Sequence, residues 1–203
     1  MICFIKHHST LKGLSILGSV ALAAYGSAQT FTTWPDNGHQ YAVVLVGQDG
    51  TWTDANNGAI SLGGHLATIT SVEENDFIFS LIDDPAYWVS QGGAWNFGPW
   101  FGLVQAPGGG EPAGGWEWVT GETFSFSNWD VQSNEPNNSP PNENVAHFHA
   151  IGSSHQSYWN DLQGDWPIRP NSYVVEIDSV PEPTGPVALS LGLIAILGKR
   201  RRA

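Results

Sequence analysis

The sequence predicts an α+β domain in which two helices come before an antiparallel sheet. Two segments with helix-capping residues lie in the first half of the domain, and β-branched or aromatic runs between Gly- and Pro-rich loops fill the second half. Helices segregated from antiparallel strands are typical of α+β folds. No internal repeat is present, and about 150 residues between the two ends are enough for one domain with a core of its own.

The two predicted helices are marked by their first residues. Thr51 and Asp54 can cap the first helix, whose weak apolar stripe is Ala55, Ala59 and Ile60 and which should end at the glycines 63–64. Ser71 and Glu74 form the pattern of a capping box for the second helix. Behind that box, apolar residues recur at helical spacing: Phe77, Ile78, Leu81 and Ile82.

The predicted strands follow from short β-branched or aromatic runs. Residues 40–46 form a first strand before the helices, and residues 65–69 form a short strand between them. Residues 100–103 read as a central strand, followed by the W-E-W segment at 116–118. The last clear strands are residues 144–151 and 172–178.

The domain is strongly acidic. Between residues 29 and 178 lie 18 of the 19 Asp and Glu residues but only one of the seven Lys and Arg residues, Arg169, which gives a formal charge of −17. This charge argues against nucleic acid and anionic lipid as partners. It agrees with cation binding, or simply with solubility outside the cell.

Residues 1–28 have the pattern of a secretory signal peptide. Lys6 and Lys12 supply the positive start, residues 14–24 the apolar core, and residues 26–28 a small-x-small cleavage site. The alternative is a transmembrane anchor, but the apolar core is shorter than the about 20 residues needed to span a bilayer. We therefore expect an exported protein.

Residues 180–203 form a three-part tail. V-P-E-P at 180–183 precedes an uncharged stretch at 184–198 and a basic cluster at 199–202. The tail resembles a PEP-CTERM sorting signal. This resemblance implies an exosortase-type processing enzyme as a partner, membrane contact only through the tail, and an inner-membrane-tethered precursor in a Gram-negative bacterium that then reaches the cell surface or extracellular matrix. The alternative is a simple C-terminal anchor.

Five motifs occur along the domain in a fixed order. They are L-G-G-H-L-A-T-I at 62–69, S-V-E-E-N-D-F at 71–77, W-F-G-L at 100–103, W-V-T-G-E-T-F-S-F-S-N-W at 118–129, and E-P-N at 135–137 with W-N-D at 159–161. Together they resemble C-type lectin-like domains over nearly all of residues 29–179. The resemblance implies a C-type lectin-like fold, with two helices flanking antiparallel sheets and a long calcium-binding loop region.

The domain departs from animal members of this family in having no disulfides. The only cysteine of the chain is Cys3, inside the predicted signal. Where animal members place cysteines, this chain has Ala59, Val145, Val175 and a residue near Gly164. We expect the abundant aromatic residues to compensate through packing.

The resemblance implies one calcium site in the loop region. Its ligands would be Glu135, Asn137, Glu143, Asn160 and Asp161, with a cis peptide bond before Pro136. The residues themselves support this interpretation, because three acids so placed would repel each other unless a cation lay between them, and calcium takes six to eight oxygen ligands. The alternative is an acidic, turn-rich loop that serves solubility alone.

The same five residues form the predicted carbohydrate-binding site. If calcium keeps open coordination positions, two vicinal sugar hydroxyls can complete its shell while Glu135 accepts and Asn137 donates a hydrogen bond. In the family, E-P-N goes with mannose- or glucose-type sugars, whereas galactose binders usually carry Q-P-D. Asn138 and Asn144 stand where members with a second calcium have acids, so that second site is expected to be weak or absent.

His147, His149 and His155 form a competing candidate for a metal site. On a strand, His147 and His149 share one face, and H-x-H is a plausible zinc pair that His155 could complete. The alternative, which we favour, is that they are polar residues facing solvent. Three tryptophans in predicted loops could stack on sugar rings: Trp88, Trp95 and Trp166. Four others occupy family core positions: Trp100, Trp118, Trp129 and Trp159.

The sequence thus predicts an exported, calcium-dependent carbohydrate-binding protein, not an enzyme, whose partner is a glycan or exopolysaccharide. The alternative is a structural or protein-interaction module in which calcium only orders the loop. A third hypothesis, an extracellular zinc hydrolase, is weak because the domain has no cysteine and no serine in a G-x-S-x-G elbow.

Overall fold

The computed structural model describes residues 29–47, 50–152 and 154–179. The predicted signal peptide and sorting tail lie outside the described residues. Within those ranges, no helix combines the length and the apolar character needed to cross a membrane.

Both predicted helices are present. Helix α1 spans Trp52–Ser61, with Thr51 and Asp54 forming a capping box, and α2 spans Val72–Ile82. Two details of the prediction were wrong. Ile60 is exposed because α1 buries only Ala55 and Ala59. Ser71 caps α2, but the Glu74 carboxylate accepts hydrogen bonds from the N–H and hydroxyl of Thr70, so the capping box is incomplete.

A 3₁₀ turn and nine strands complete the described part of the chain. The turn is Pro85–Tyr87. The strands are β1 Thr32–Thr33, β2 Gln40–Leu45, β3 His65–Leu66, β4 Val89–Gln91, β5 Trp95–Gln105, β6 Trp116–Trp118, β7 Val145–Ile151, β8 Tyr158–Leu162 and β9 Ser172–Ile177. Strand β8, which carries the W-N-D motif, was not among the predicted strands.

The strands join in the order β1-β2-β9-β5-β7-β8, with β3 paired to β9 and with β4 and β6 paired to β5. All pairs are antiparallel except β5 and β9, which are parallel at Trp100 and Tyr173. The predicted strand 65–69 shrinks to β3 because the N–H of Thr68 donates to the Glu176 carboxylate instead of a neighbouring strand. The architecture is the predicted α+β arrangement, with the first long strand, β2, paired to the last, β9.

The core is aromatic. Trp100, Trp118 and Trp159 are buried, as predicted, and Trp129 is half-buried. The Trp159 ring lies 5.0–6.1 Å from four other aromatic rings. Its Nε1 donates to Asn75 Oδ1 at 2.9 Å, which ties β8 to α2. These contacts fix the strand from which Asn160 and Asp161 project.

Apolar packing fills the positions where animal relatives have cysteines. Ala59 and Val175 are fully buried in a second core cluster that also contains Val145. A Cβ placed on Gly164 would lie 3.6 Å from Val145 Cγ2, so these two positions are neighbours as well. The positions at which animal relatives have cysteines are therefore packed together here without a covalent bond.

Candidate functional site

The structure brings all five predicted site residues together. Strands β7 and β8 are antiparallel, with Val145 opposite Leu162 and Ala146 opposite Asp161, so Glu143 lies beside the end of β8. The loop that carries Glu135 and Asn137 folds back onto the same place through an isolated bridge between Trp129 and Trp159. The Glu135–Pro136 peptide bond is cis, as the family resemblance implied.

Two carboxylates hold the loop in place through its backbone. The N–H groups of Asn137 and Asn138 donate to Asp161 Oδ1 and Oδ2 at 2.9 and 2.8 Å. The N–H of Ser139 donates to Glu143 Oε2 at 2.7 Å. The Asn138 side chain accepts from the N–H groups of residues 142 and 143. Each acid therefore shapes the loop whose other side chains complete the site.

The acids of this site are buried at close quarters. Glu135 and Glu143 are 6 % and 4 % exposed, and Asp161 is fully buried. Burial, together with the nearby Asp161 carboxylate, raises the pKa of Glu143 to about 7. Burial also raises the pKa of Glu135, helped by Asp161, Glu143 and Asp130. A cation bound among these three carboxylates would therefore be stabilising.

Two buried oxygens of the loop have no hydrogen-bond partner: Glu135 Oε2 and Asn137 Oδ1. An unpaired buried polar atom costs about 1–3 kcal/mol, so such atoms usually serve a ligand or strain the fold. Both belong to predicted calcium ligands. The Asn160 amide group supports the same interpretation, because Nδ2 points to His147 Nε2 and to the Asp161 carbonyl, which leaves Oδ1 for a ligand.

A cavity of about 190 Å³ opens beside these atoms. Four predicted ligands line it, namely Glu135, Asn137, Glu143 and Asn160, together with Trp95, Phe97 and Trp166. Trp95 is 43 % exposed and can offer a ring face. Trp88 cannot, because it is buried and stacks on the His155 ring at 4.5 Å. The prediction that Trp88 could contact sugar was therefore wrong.

The favoured interpretation of the histidines was also wrong. His147 and His149 are fully or almost fully buried, not solvent-facing, because the rings of Phe97 and Trp100 pack against His147 and the ring of Trp95 packs against His149. His155 instead pairs with Asp83 at 2.9 Å and stacks on Trp88, and among the described residues it forms no group of possible metal ligands with the other two. The three histidines thus do not converge on one metal position.

His147 is a functional neighbour that sequence reasoning missed. It lies opposite Asn160 in the β7–β8 register, and its Nδ1 donates to the Phe148 carbonyl. Burial lowers the pKa of His147 to about 3, so the ring is neutral and its Nε2 accepts from the Asn160 amide. The H-x-H spacing indicated a shared face, but only the strand register shows that this face lies behind the W-N-D motif.

The residues present fit a calcium ion. Every predicted ligand offers oxygen, three are carboxylates, and two of the oxygens lack a partner. A fold and a loop of this kind define a binding module whose site is built mainly from loop side chains on a rigid sheet.

Comparison with known proteins agrees with this class. The model of the family described as Lectin C-type domain matches residues 48–168. The chain therefore belongs to the C-type lectin domain family. A perlucin-like protein from Mytilus galloprovincialis is 30 % identical over 112 residues, which cover 55 % of this chain and 61 % of the relative. The chain thus spans about three-fifths of that protein.

Solved structures show the same fold. The carbohydrate-recognition domain of cow CD23, determined in the presence of a GlcNAc2Man3 oligosaccharide, is 24 % identical, with a TM-score of 0.50 over 70 % of this chain and 89 % of that one. The herring type II antifreeze protein is 17 % identical, with a TM-score of 0.53 over 74 % of this chain and 97 % of that one. At these identities the likeness concerns the fold alone.

Proposed function

We propose that this chain is an exported, calcium-dependent lectin that binds mannose- or glucose-type sugars of a surface or matrix polysaccharide. The observation that carries the proposal is the pair of unpartnered oxygens, Glu135 Oε2 and Asn137 Oδ1, beside a cavity walled by acids of raised pKa. Glu135, Asn137, Glu143, Asn160 and Asp161 would hold the ion. Calcium would supply open coordination positions for two vicinal hydroxyls.

The chain's own residues would then orient the sugar. Glu135 can accept and Asn137 can donate a hydrogen bond to the coordinated hydroxyls, which is the polarity expected for E-P-N. Trp95 and Trp166 border the same cavity and can cover an apolar face of the ring. The CD23 domain that shares the fold was crystallised with a mannose-containing oligosaccharide, which supports this class of ligand.

The proposed role is binding without catalysis. The matching family model describes a lectin domain, and His147 and His149 are too deeply buried to act as a hydrolytic centre open to a polymer. His147 has both ring nitrogens engaged, one by a carbonyl and one by the Asn160 amide. Export and the tail-processing enzyme belong to the same proposal and rest on the terminal sequence patterns alone.

A second candidate function is a structural or protein-interaction module in which calcium only orders the loop. The antifreeze proteins of the same fold favour it, because they show that this scaffold also serves ligands other than sugars. Binding of the purified protein to a glycan array, with and without calcium, separates the candidates.

The matched variant for that experiment is the double substitution Glu135→Gln, Asn137→Asp. In a lectin it should move the preference from mannose- or glucose-type sugars towards galactose-type sugars, because it reverses the donor and acceptor of the sugar hydroxyls. Glycan binding that ignores both calcium and this change would contradict the proposal. An array with no binding at all would favour the interaction module.

A further inference from the structure

A second group of metal-ligating side chains lies where the first and last long strands of the domain meet. His39 precedes β2, His65 begins β3, Glu176 lies in β9 and Asp178 follows it. The strand register brings them together, because β9 pairs Ile177 with Gln40 of β2 and Glu176 with His65 of β3. None of these residues belongs to the loop site.

The donor atoms of three of these four residues are already close, and His65 lies beside one of them. Ligand atoms of His39, Glu176 and Asp178 all lie within 4.8 Å of one another. His39 Nδ1 is 2.6 Å from Glu176 Oε1 and 3.8 Å from Asp178 Oδ1. His65 Nε2 lies 3.2 Å from that same Asp178 oxygen. Neighbouring ligands of a tetrahedral zinc ion are about 3.3 Å apart, which falls within this spread.

The contact between His65 and Asp178 needs a positive charge. His65 Nδ1 lies 2.9 Å from the Leu66 carbonyl, so this nitrogen must donate. In the neutral ring Nε2 then carries a lone pair, which would face the Asp178 carboxylate oxygen. Either a proton or a metal cation must lie between the two atoms.

Within the described part of the chain, the ion pairs of this group involve only histidines and carboxylates. Arg169 is the one Lys or Arg between residues 29 and 178, and its contacts include the carbonyls of residues 50, 165 and 166, away from this group. Glu176 is 1 % exposed and held by Thr68 and Tyr41, so it is fixed in position. The Asp178 side chain is 71 % exposed and free to adjust. The group therefore has one fixed carboxylate, one carboxylate that can move and two imidazoles, and a bound ion can draw these ligands together.

We propose that His39, His65, Glu176 and Asp178 bind a divalent transition-metal ion, zinc above all. Mixed imidazole and carboxylate ligands suit zinc, whereas calcium prefers oxygen alone. The site differs from the loop site in its ligands, its strands and its metal. Bound zinc ties β2 and β3 to the end of β9, and so stabilises the domain where its two ends meet.

The test is a zinc titration of the purified, untagged protein by calorimetry, repeated on His65→Asn and Asp178→Asn. Asp178→Asn is the safer variant, because its exposed side chain leaves folding intact. Each substitution should weaken zinc binding at this site by at least about tenfold. The matched control is Asp83→Asn, which breaks the other exposed histidine–carboxylate pair, Asp83 with His155 at 2.9 Å.

The expected pattern is zinc binding weakened at least about tenfold at one site in both site variants, with Asp83→Asn unchanged. Zinc bound elsewhere would persist in every variant. Equal zinc binding in the original protein, His65→Asn and Asp178→Asn would overturn the proposal. Loss in Asp83→Asn alone would overturn it as well, by placing the zinc at His155.

Discussion

Two groups of acids in this domain differ in the groups that they contact. The loop acids, Glu135, Glu143 and Asp161, contact backbone N–H groups of their own loop and one another. The acids of the second group, Glu74 in α2, Glu176 in β9 and Asp178 just after it, contact hydroxyls and histidines in addition to the N–H groups of Thr68 and Thr70. The partners of the acids therefore indicate which ion each group suits, because an all-oxygen wall suits calcium whereas added imidazoles suit zinc.

Trp159 supports both groups of acids, and its removal should have the largest effect on the free energy of unfolding. Trp159 joins the core of β8, which carries Asp161, to Asn75 of α2, next to Glu74. Trp159→Ala should lower the free energy of unfolding by about 3–5 kcal/mol, since it empties a fully buried aromatic site. Urea denaturation checks this. Trp95→Ala, at an exposed tryptophan, is the control and should cost under about 1 kcal/mol; equal losses would contradict the described core.

A substitution in the loop acids should have effects of opposite sign with and without calcium. Glu143→Gln removes a buried charge beside Asp161 and keeps an oxygen for the Ser139 N–H. Without calcium it should stabilise the fold by about 1–2 kcal/mol, because the raised pKa of Glu143 marks an unfavourable charge.

With calcium, Glu143→Gln should lose the stabilisation that the ion gives the original protein. Melting temperatures in chelator and in excess calcium measure both effects. Glu117→Gln, at an exposed acid of β6, should change neither. If Glu143→Gln is less stable than the original protein in chelator and still responds to calcium, Glu143 is neither an unfavourable buried charge nor a calcium ligand.

The stability of the protein should also depend on pH, because the pKa of Glu143 is raised in the folded state. The folded pKa of Glu143, about 7, is above its ordinary value of 4.5, so the folded state holds a proton that the unfolded state releases. Stability from this group is therefore present below about pH 4.5 and is lost as the pH rises through about 7.

The measurement is the difference between the original protein and Glu143→Gln, taken in chelator at each pH. This difference should change by on the order of 2 kcal/mol between pH 5 and pH 8, and saturating calcium should flatten it. A difference that does not vary with pH would mean that Glu143 is ionised throughout without cost.

The smallest effect concerns sugar affinity. Trp166→Ala should weaken binding of a mannose-type sugar about threefold to tenfold, because it removes one aromatic wall of the cavity. Calcium affinity should stay unchanged, since Trp166 offers no ligand. Val131→Ala, at a side chain 76 % exposed outside the cavity, is the control. A loss of calcium binding in Trp166→Ala would show that the ring supports the loop instead.

The sequence predicted the two helices, and the structure brings the E-P-N and W-N-D motifs together. Thr51 and Ser71 mark the helix starts through local hydrogen bonds, and the two motifs meet through one bridge, between Trp129 and Trp159. Strand β8 escaped prediction because Asn160 and Asp161 give it no apolar alternation.

Other features depend on contacts between distant segments. The spacing of His147 and His149 predicts a shared face but not whether that face is covered, and the rings of Trp95, Phe97 and Trp100 pack against these two side chains. His39 and His65 meet Asp178, which lies more than a hundred residues further along the chain, only through the register of β2, β3 and β9. No local pattern encodes that meeting.

Calcium binding by the loop is the central claim, and calorimetric titration of the purified protein tests it most directly. We expect one site with a dissociation constant on the order of 10⁻⁴–10⁻³ M, the range of extracellular modules, and no binding in Glu143→Gln. No detectable heat, together with a melting temperature that chelator leaves unchanged, would contradict the claim.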